Sequence, residues 1–294
     1  MIHMIRPKGV IPPMIVPFKN NDIDVIVLKQ FVDWLIDQGV DGLFPISTTG
    51  EGWLMNINEK KKVIDTVVDA ANGRVPVFPG ALSVKEEEVL EIVRYASDAG
   101  ADAVVIHFPK WVDKEEKALS FYEKVTTMSE IPIILYYSKN LRYKVSVETI
   151  VKLSKNEKIV GIKDSSYDVS RIGKLIVYAS DNMSIIQGSE LLYLPSLAIG
   201  IDGVIGGGLN IHPRTFKELE KSFQSCRHDE AKRIHARIIQ IWDLISYAFP
   251  LSGKVFLNRY IGIPFGKKCK KIITYSEKEL NSRLEKVSRL VDEI

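Results

Sequence analysis

The residue of this sequence with the most chemical promise is a lysine that ends an apolar run. Ile159, Val160, Gly161 and Ile162 lead directly into Lys163 and Asp164. Taking an ammonium group out of water disfavours its charged form, so an amine placed there is neutral part of the time and nucleophilic. Condensed with a ketone, such an amine gives an imine, an electron sink that lets the neighbouring carbon lose a proton or an aldehyde. The competing use for such a residue is a side chain that snorkels from a strand end to solvent. Tyr136 ends a second apolar run that starts at Pro132. A phenol there can pass protons between substrate and water, or serve only as a wall aromatic. Tyr137 alternates with it and is expected on the opposite face. The third group is Ser47, Thr48, Thr49, Gly50 and Glu51, just after the apolar stretch 42–46. Hydroxyls and free N–H groups in a glycine-containing turn suit a carboxylate or other oxyanion; they equally suit a helix cap.

Other chemistry-bearing residues are sparse. The five histidines are His3, His107, His212, His228 and His235, and no pair of them has a recognised metal-ligand spacing. His107 closes an apolar run and is a candidate to face a site. Gly206, Gly207, Gly208, Leu209 and Asn210 could cradle a phosphate or allow close backbone packing. Lys267, Lys268, Lys270 and Lys271 form the one local basic run; a solvated loop, an anionic ligand and a neighbouring subunit are its possible settings.

Around these residues, short apolar runs alternate with amphipathic stretches. Strands are predicted at 10–18, 42–46, 75–79, 103–108, 133–137, 160–163, 185–187 and 203–206. Helices are predicted at 23–38, 58–71, 84–99, 114–128, 146–154, 169–179, 190–199 and 212–224. In the first helix Val27, Leu28, Phe31, Leu35 and Ile36 recur at three- and four-residue steps. Three connectors repeat a pattern, starting at Gly39, Gly100 and Gly200, each with an aspartate two residues on (Asp41, Asp102, Asp202). Glycine ends a helix in the left-handed conformation, and the aspartate is expected to bond backbone in the turn that follows. Near-continuous apolar strands with intervening helices imply a parallel sheet covered by helices. Eight such units within residues 1–225 point to an α/β fold, a (β/α)8 TIM barrel. An open doubly wound sheet would be expected to carry a glycine-rich phosphate turn after its first strand, where Pro17, Phe18, Lys19 and Asn20 stand instead. Residues 226–294 read as additional C-terminal helices at 229–247, 254–261 and 276–292, an extension packed on the barrel.

Composition bounds the partners. With 40 basic against 37 acidic side chains and a net charge of +3, neither nucleic acid nor an anionic membrane is implied. No apolar run approaches the roughly 20 residues of a membrane span. The start of the chain carries no signal-like apolar stretch, and Cys226 and Cys269 form no Cys-x-x-Cys pair. A cytoplasmic setting is the expectation.

Taken in order, these pieces resemble the dihydrodipicolinate synthase and N-acetylneuraminate lyase family of class I aldolases. The resemblance begins at residues 11–18 and continues through Ser47–Glu51, which is like the family's Gly-Thr-Thr-Gly-Glu. It takes in Leu135–Tyr136, Gly161–Asp164, Gly188 and Gly203–Gly206. The resemblance implies that Lys163 forms an imine with pyruvate or another 2-oxo acid, that Tyr136 shuttles protons, and that Thr48 extends the relay. It implies that Thr49, with Ser47 and the amides of the turn, holds the substrate carboxylate, and that Gly188 and Ile205 line the pocket through backbone groups. It further implies no metal, no organic cofactor, an aldehyde as second substrate, and a homo-oligomer, commonly a tetramer. The family's synthases carry an arginine after the fifth strand for the second substrate's carboxylate; here Leu141 holds that place and Arg142 follows it. They also carry a tyrosine after the fourth strand, where this chain has His107, Phe108, Pro109, Lys110 and Trp111. The family's sialic acid lyases have acidic residues after the glycine and a serine in the next loop. This chain offers Ser189 and Glu190 but Leu209 in place of the serine. The expectation is therefore cleavage of a 2-keto-3-deoxy sugar acid to pyruvate and an aldehyde. The alternative is 4-hydroxy-tetrahydrodipicolinate (dihydrodipicolinate) synthase, and a further one is a non-catalytic barrel that binds a 2-oxo acid.

Overall fold

The computed structural model describes residues 5–292; His3 lies outside them. The molecule is a ring of parallel strands wrapped in helices. A six-stranded sheet runs in the spatial order Gly9–Val10, Gly203–Val204, Ser184–Gln187, Ile159–Ser165, Ile133–Ser138, Val104–His107. Three parallel bridges, Gly80 to Val105, Leu43 to Val77 and Pro13 to Phe44, carry the ring through two more positions and back to its start. Eight strand positions thus close, and among the described residues the ring itself presents no open edge.

The strands predicted at 42–46 and 75–79 are reduced to these single bridges, and residues 11–17 carry one bridge rather than a continuous strand. The prolines explain much of this. Pro12, Pro13, Pro17, Pro45, Pro76 and Pro79 have no N–H to donate to a ladder. The run also ends differently from the prediction: Phe18–Lys19 pairs antiparallel with Asp22–Ile23 in a small hairpin outside the ring.

Inside the ring lies an apolar cluster of Ile11, Phe44, Phe78, Ala103, Val105, Ile134, Tyr136, Val160, Ile186 and Ile205. A second, larger cluster fills the layer between ring and helices. Each aliphatic side chain removed from water this way contributes about 1.5–3 kcal/mol before entropy is counted. Tyr136 is the one member of this inner cluster with a polar group.

The three repeated connectors hold the opposite end of the ring. Gly39, Gly100 and Gly200 all have positive φ. The aspartates do not bond their own turns as expected. Asp41 accepts from the Val10 N–H, Asp102 from Val77 and Asp202 from Ile185, each on a neighbouring strand, at 2.7–2.8 Å. A carboxylate on a backbone N–H is a charge-assisted bond, so the motif stitches adjacent strands together where they begin.

After Pro213–Gln224 the chain continues as helices His228–Ile245, Leu251–Phe256 with a wider turn over Leu257–Ile261, and Glu277–Asp292. Ile238, Ile241, Ile245, Leu280, Leu284 and Val287 face the common core. None of the described helices is long and apolar enough to cross a membrane.

Candidate active site

Register, not sequence proximity, assembles the site. His107 lies level with Tyr136, and Tyr136 level with Lys163, on three adjacent parallel strands. Side chains alternate along a strand, so Lys163 and Ser165 share a face, while Asp164 points the other way and pairs with Arg171 at 2.9 Å. The same alternation sends Tyr137 outward, where the Arg171 guanidinium stacks on its ring at 3.8 Å.

Lys163 is 5% exposed. Its ammonium nitrogen lies 4.5 Å from the centre of the Tyr136 ring and 5.3 Å from that of Phe44. Burial pulls its pKa down from the ordinary lysine value to about 7, and the Glu190 carboxylate opposes that shift. The amine is therefore neutral in a large fraction of molecules near neutral pH, the state a nucleophile requires. Tyr136, 7% exposed, has its phenol pushed up by burial and eased back by hydrogen bonds with the hydroxyls of Thr48 and Ser165. His107 stands edge-on to Tyr136 and to Trp53. Burial holds it down at about 4, helped by the nearby Lys163 and Lys110. It is neutral at pH 7, and its Nδ1 bonds the Phe108 carbonyl.

The Ser47–Glu51 turn sits over this layer in a strained conformation. Ile46 and Glu51 both have positive φ, 56° and 65°. For side chains with a Cβ, and most of all for a β-branched one, this costs of order 1–3 kcal/mol each. The bend brings the Ile46 carbonyl so close to Gly80 that a Cβ there would meet it at 2.2 Å. Within the turn the Ser47 hydroxyl accepts from the Gly50 N–H at 3.0 Å, and the Ser47 carbonyl accepts from Gly52 at 2.9 Å. Ser47 is thus engaged in shaping the turn. Thr48 is exposed at the mouth, accepts from the Trp53 indole at 3.2 Å and reaches Tyr136. Thr49 is half-buried beside it.

Gly188 and Ile205 complete the far wall. The Gly188 N–H donates to the Asp164 carbonyl and that of Ile205 to the Gln187 carbonyl, so the amides of both are engaged. A Cβ on Gly188 would collide with the Ser165 hydroxyl at 1.9 Å. The glycine-rich stretch is filled by protein: Gly206 abuts the Glu190 carboxylate and Gly207 the Trp242 ring. Close packing, not a phosphate cradle, is its use. Glu190 is itself buried and accepts from the Gly208 N–H at 2.8 Å, with its pKa raised by burial. Leu141 is buried in the outer core and Arg142 is exposed. Among the described residues no group of three or more His, Cys, Asp or Glu side chains could hold a metal ion.

Sequence reading missed Ser165 and Phe44. Ser165 was accessible in principle, since it lies two residues beyond Lys163 on one strand. Phe44 was not, because only the closing of the ring brings it against the amine.

A closed parallel barrel with a desolvated lysine, a phenol and hydroxyls at its mouth is the framework of an aldolase that works through a lysine imine. The chain belongs to the dihydrodipicolinate synthetase family, whose model matches residues 6–290. The 4-hydroxy-tetrahydrodipicolinate synthase of Methanocaldococcus jannaschii is 34% identical over 265 residues, covering 88% of this chain and 90% of that one. That of Oceanobacillus iheyensis is 30% identical over 277 residues, covering 93% and 94%. A crystal structure of a dihydrodipicolinate synthase superposes with a TM-score of 0.89 at 32% identity, over 98% of this chain and all of the other. The sialic acid aldolase of Ruminococcus gnavus shares the fold at a TM-score of 0.91 but only 19% identity, over 97% of each chain. The chain is accordingly a carbon–carbon lyase or synthase of the aldolase type.

Proposed function

We propose that Lys163 forms an imine with pyruvate or a close 2-oxo acid, and that the resulting enamine adds to an aldehyde. The amine attacks the ketone carbon, and the carbinolamine loses water as Tyr136 supplies the proton. Loss of a proton from the methyl carbon then gives the enamine. It forms the new carbon–carbon bond, and water releases product and amine. Thr48 extends the proton path from Tyr136. Thr49 and the amides of the Ser47–Glu51 turn hold the carboxylate, while Gly188 and Ile205 line the pocket. The lysine supplies the electron sink, so the scheme calls for no metal or organic cofactor. The observation that carries it is a buried amine, level with a buried tyrosine, with its pKa near 7.

For the second substrate, the relatives named 4-hydroxy-tetrahydrodipicolinate synthase favour aspartate semialdehyde, the alternative of the sequence reading. The 2-keto-3-deoxy sugar acid reading is retained on one specific observation. Leu141 is buried where the synthases have their carboxylate-binding arginine, while the Glu190 carboxylate stands within electrostatic reach of Lys163. We also propose a homo-oligomer, a cytoplasmic setting, and 225/226 as the boundary between catalytic barrel and helical extension. Two assays separate the substrates: condensation of pyruvate with aspartate semialdehyde, and lactate-dehydrogenase-coupled pyruvate release from a panel of 2-keto-3-deoxy sugar acids. Condensation with no cleavage is the expected result. Cleavage without condensation would reverse the ranking, and activity in neither, with borohydride trapping intact, would leave a binding barrel.

A further inference from the structure

A second buried lysine lies beside the same turn and takes no part in the scheme above. Lys254, on the extension helix Leu251–Phe256, is 0% exposed and Glu51 is 4% exposed. Lys254 Nζ is 3.2 Å from Glu51 Oε2 and donates to the Lys268 carbonyl at 2.8 Å. It lies over the Phe18 ring at 4.6 Å, and the Cys269 thiol touches both members of the pair. The carboxylate is fully engaged: Oε1 accepts from the backbone N–H of Lys270 at 3.0 Å and of Lys271 at 3.3 Å. Lys270 Nζ in turn pairs with Glu59 at 2.7 Å. The basic run is thus a strap across the turn, with only Lys267 pairing within its own extension, to Glu277.

We infer that the Glu51–Lys254 pair, with the 268–271 strap, is a positioning device that holds the Ser47–Glu51 turn in its carboxylate-binding shape. Left-handed residues with side chains stand at both ends of the turn, Ile46 just before it and Glu51 as its last residue. A conformation of that kind persists only where its surroundings over-determine it. Glu51 has two anchors. Its N–H donates to the Thr48 carbonyl inside the turn, and its carboxylate is gripped from the extension. Thr48 and Thr49 sit between those fixed points. Breaking the outer grip leaves either a buried carboxylate or a buried ammonium uncompensated, and both relax by moving toward water and taking the turn with them. Glu51 and Lys254 act through the turn's hydroxyls and amides and touch no reacting atom.

This inference rests on the proposed pyruvate imine, and the test keeps the two apart. Borohydride trapping by pyruvate is measured on the full chain as a function of pyruvate concentration, with folding checked by circular dichroism and thermal melting. In Glu51→Gln and Lys254→Met the half-saturating pyruvate concentration should rise about tenfold or more, while trapping at saturation still reaches the parent level. Lys254→Arg, which keeps the charge, should restore affinity to within a few-fold. A role in stability alone would lower the melting temperature and leave half-saturation unmoved in the folded protein. Half-saturation within twofold of the parent in folded Glu51→Gln would overturn the inference while leaving the imine intact. A parent chain that pyruvate and borohydride fail to label would sink the aldolase reading and the inference together.

Discussion

Lys163 and Lys254 are both buried beside aromatic rings, and the difference between their surroundings separates chemistry from architecture. Around Lys254 the protein places a carboxylate at 3.2 Å and a backbone carbonyl at 2.8 Å. Around Lys163 it places ring faces and aliphatic wall, with the one nearby carboxylate, Glu190, already bonded to Gly208. Burial of a cation is tolerable when a counter-charge and an acceptor travel with it. Without them the group sheds its proton instead, and the pKa of Lys163 falls to about 7. A partnered lysine holds the turn, whereas one without such partners can react. The carboxylates of Asp41, Asp102 and Asp202 at the far end of the ring follow the first pattern, each bonded to a neighbouring strand.

The comparison is broken most directly by replacing each lysine with methionine, which matches its length and lacks its charge. Lys163→Met should lose pyruvate-dependent borohydride labelling completely while melting at or above the parent temperature, because it replaces a buried amine that has no close counter-charge with an apolar side chain. Lys254→Met should do the reverse: labelling survives at saturation, and stability drops by about 3–5 kcal/mol from the stranded Glu51, read by chemical denaturation. Labelling in Lys163→Met would assign the imine to another amine. A smaller effect is expected from Tyr136→Phe. Pyruvate still binds, but turnover falls by roughly 10²-fold, the usual scale for a lost proton shuttle; turnover equal to the parent would remove the phenol from the mechanism. The mildest test is pH. Only the neutral amine attacks, so the trapping rate at subsaturating pyruvate should be level above pH 8. It should fall below pH 7 by roughly tenfold per unit, as protonation empties the reactive form. A midpoint near the ordinary lysine value, around 10, would mean that the low-dielectric setting of Lys163 has been misread.

Much of this was legible along the chain. The eight helices of the barrel layer follow from their apolar periodicity, and Lys163, Tyr136 and the Ser47–Glu51 turn stand out as candidates by their positions after apolar runs, with the resemblance suggesting their roles. Strand content was not: two ring positions are held by single bridges, because the prolines deprive them of donors. The aspartate connectors were visible as a repeat, yet their partners lie on other strands, about 17 to 31 residues away. The basic run lies in a largely exposed loop, but its bonds to Glu51 and Glu59 were not legible because those residues lie some 200 positions upstream. Along the chain Gly206–Gly208 was open to a phosphate cradle or to close packing, and the Glu190 and Trp242 side chains lying against it decide for packing.

What the sequence alone determined is what local chemistry dictates. Periodicity sets which segments coil and which extend, and the residue type at a strand's end sets what could react there. The tertiary structure decided what depends on distance in space. Strand register and ring closure put Tyr136 and Phe44 around one amine, and docking of the helical extension put Glu51 against another. A proton's affinity for nitrogen is set by the dielectric and charges within a few ångströms, and the order of residues along a chain does not specify those neighbours.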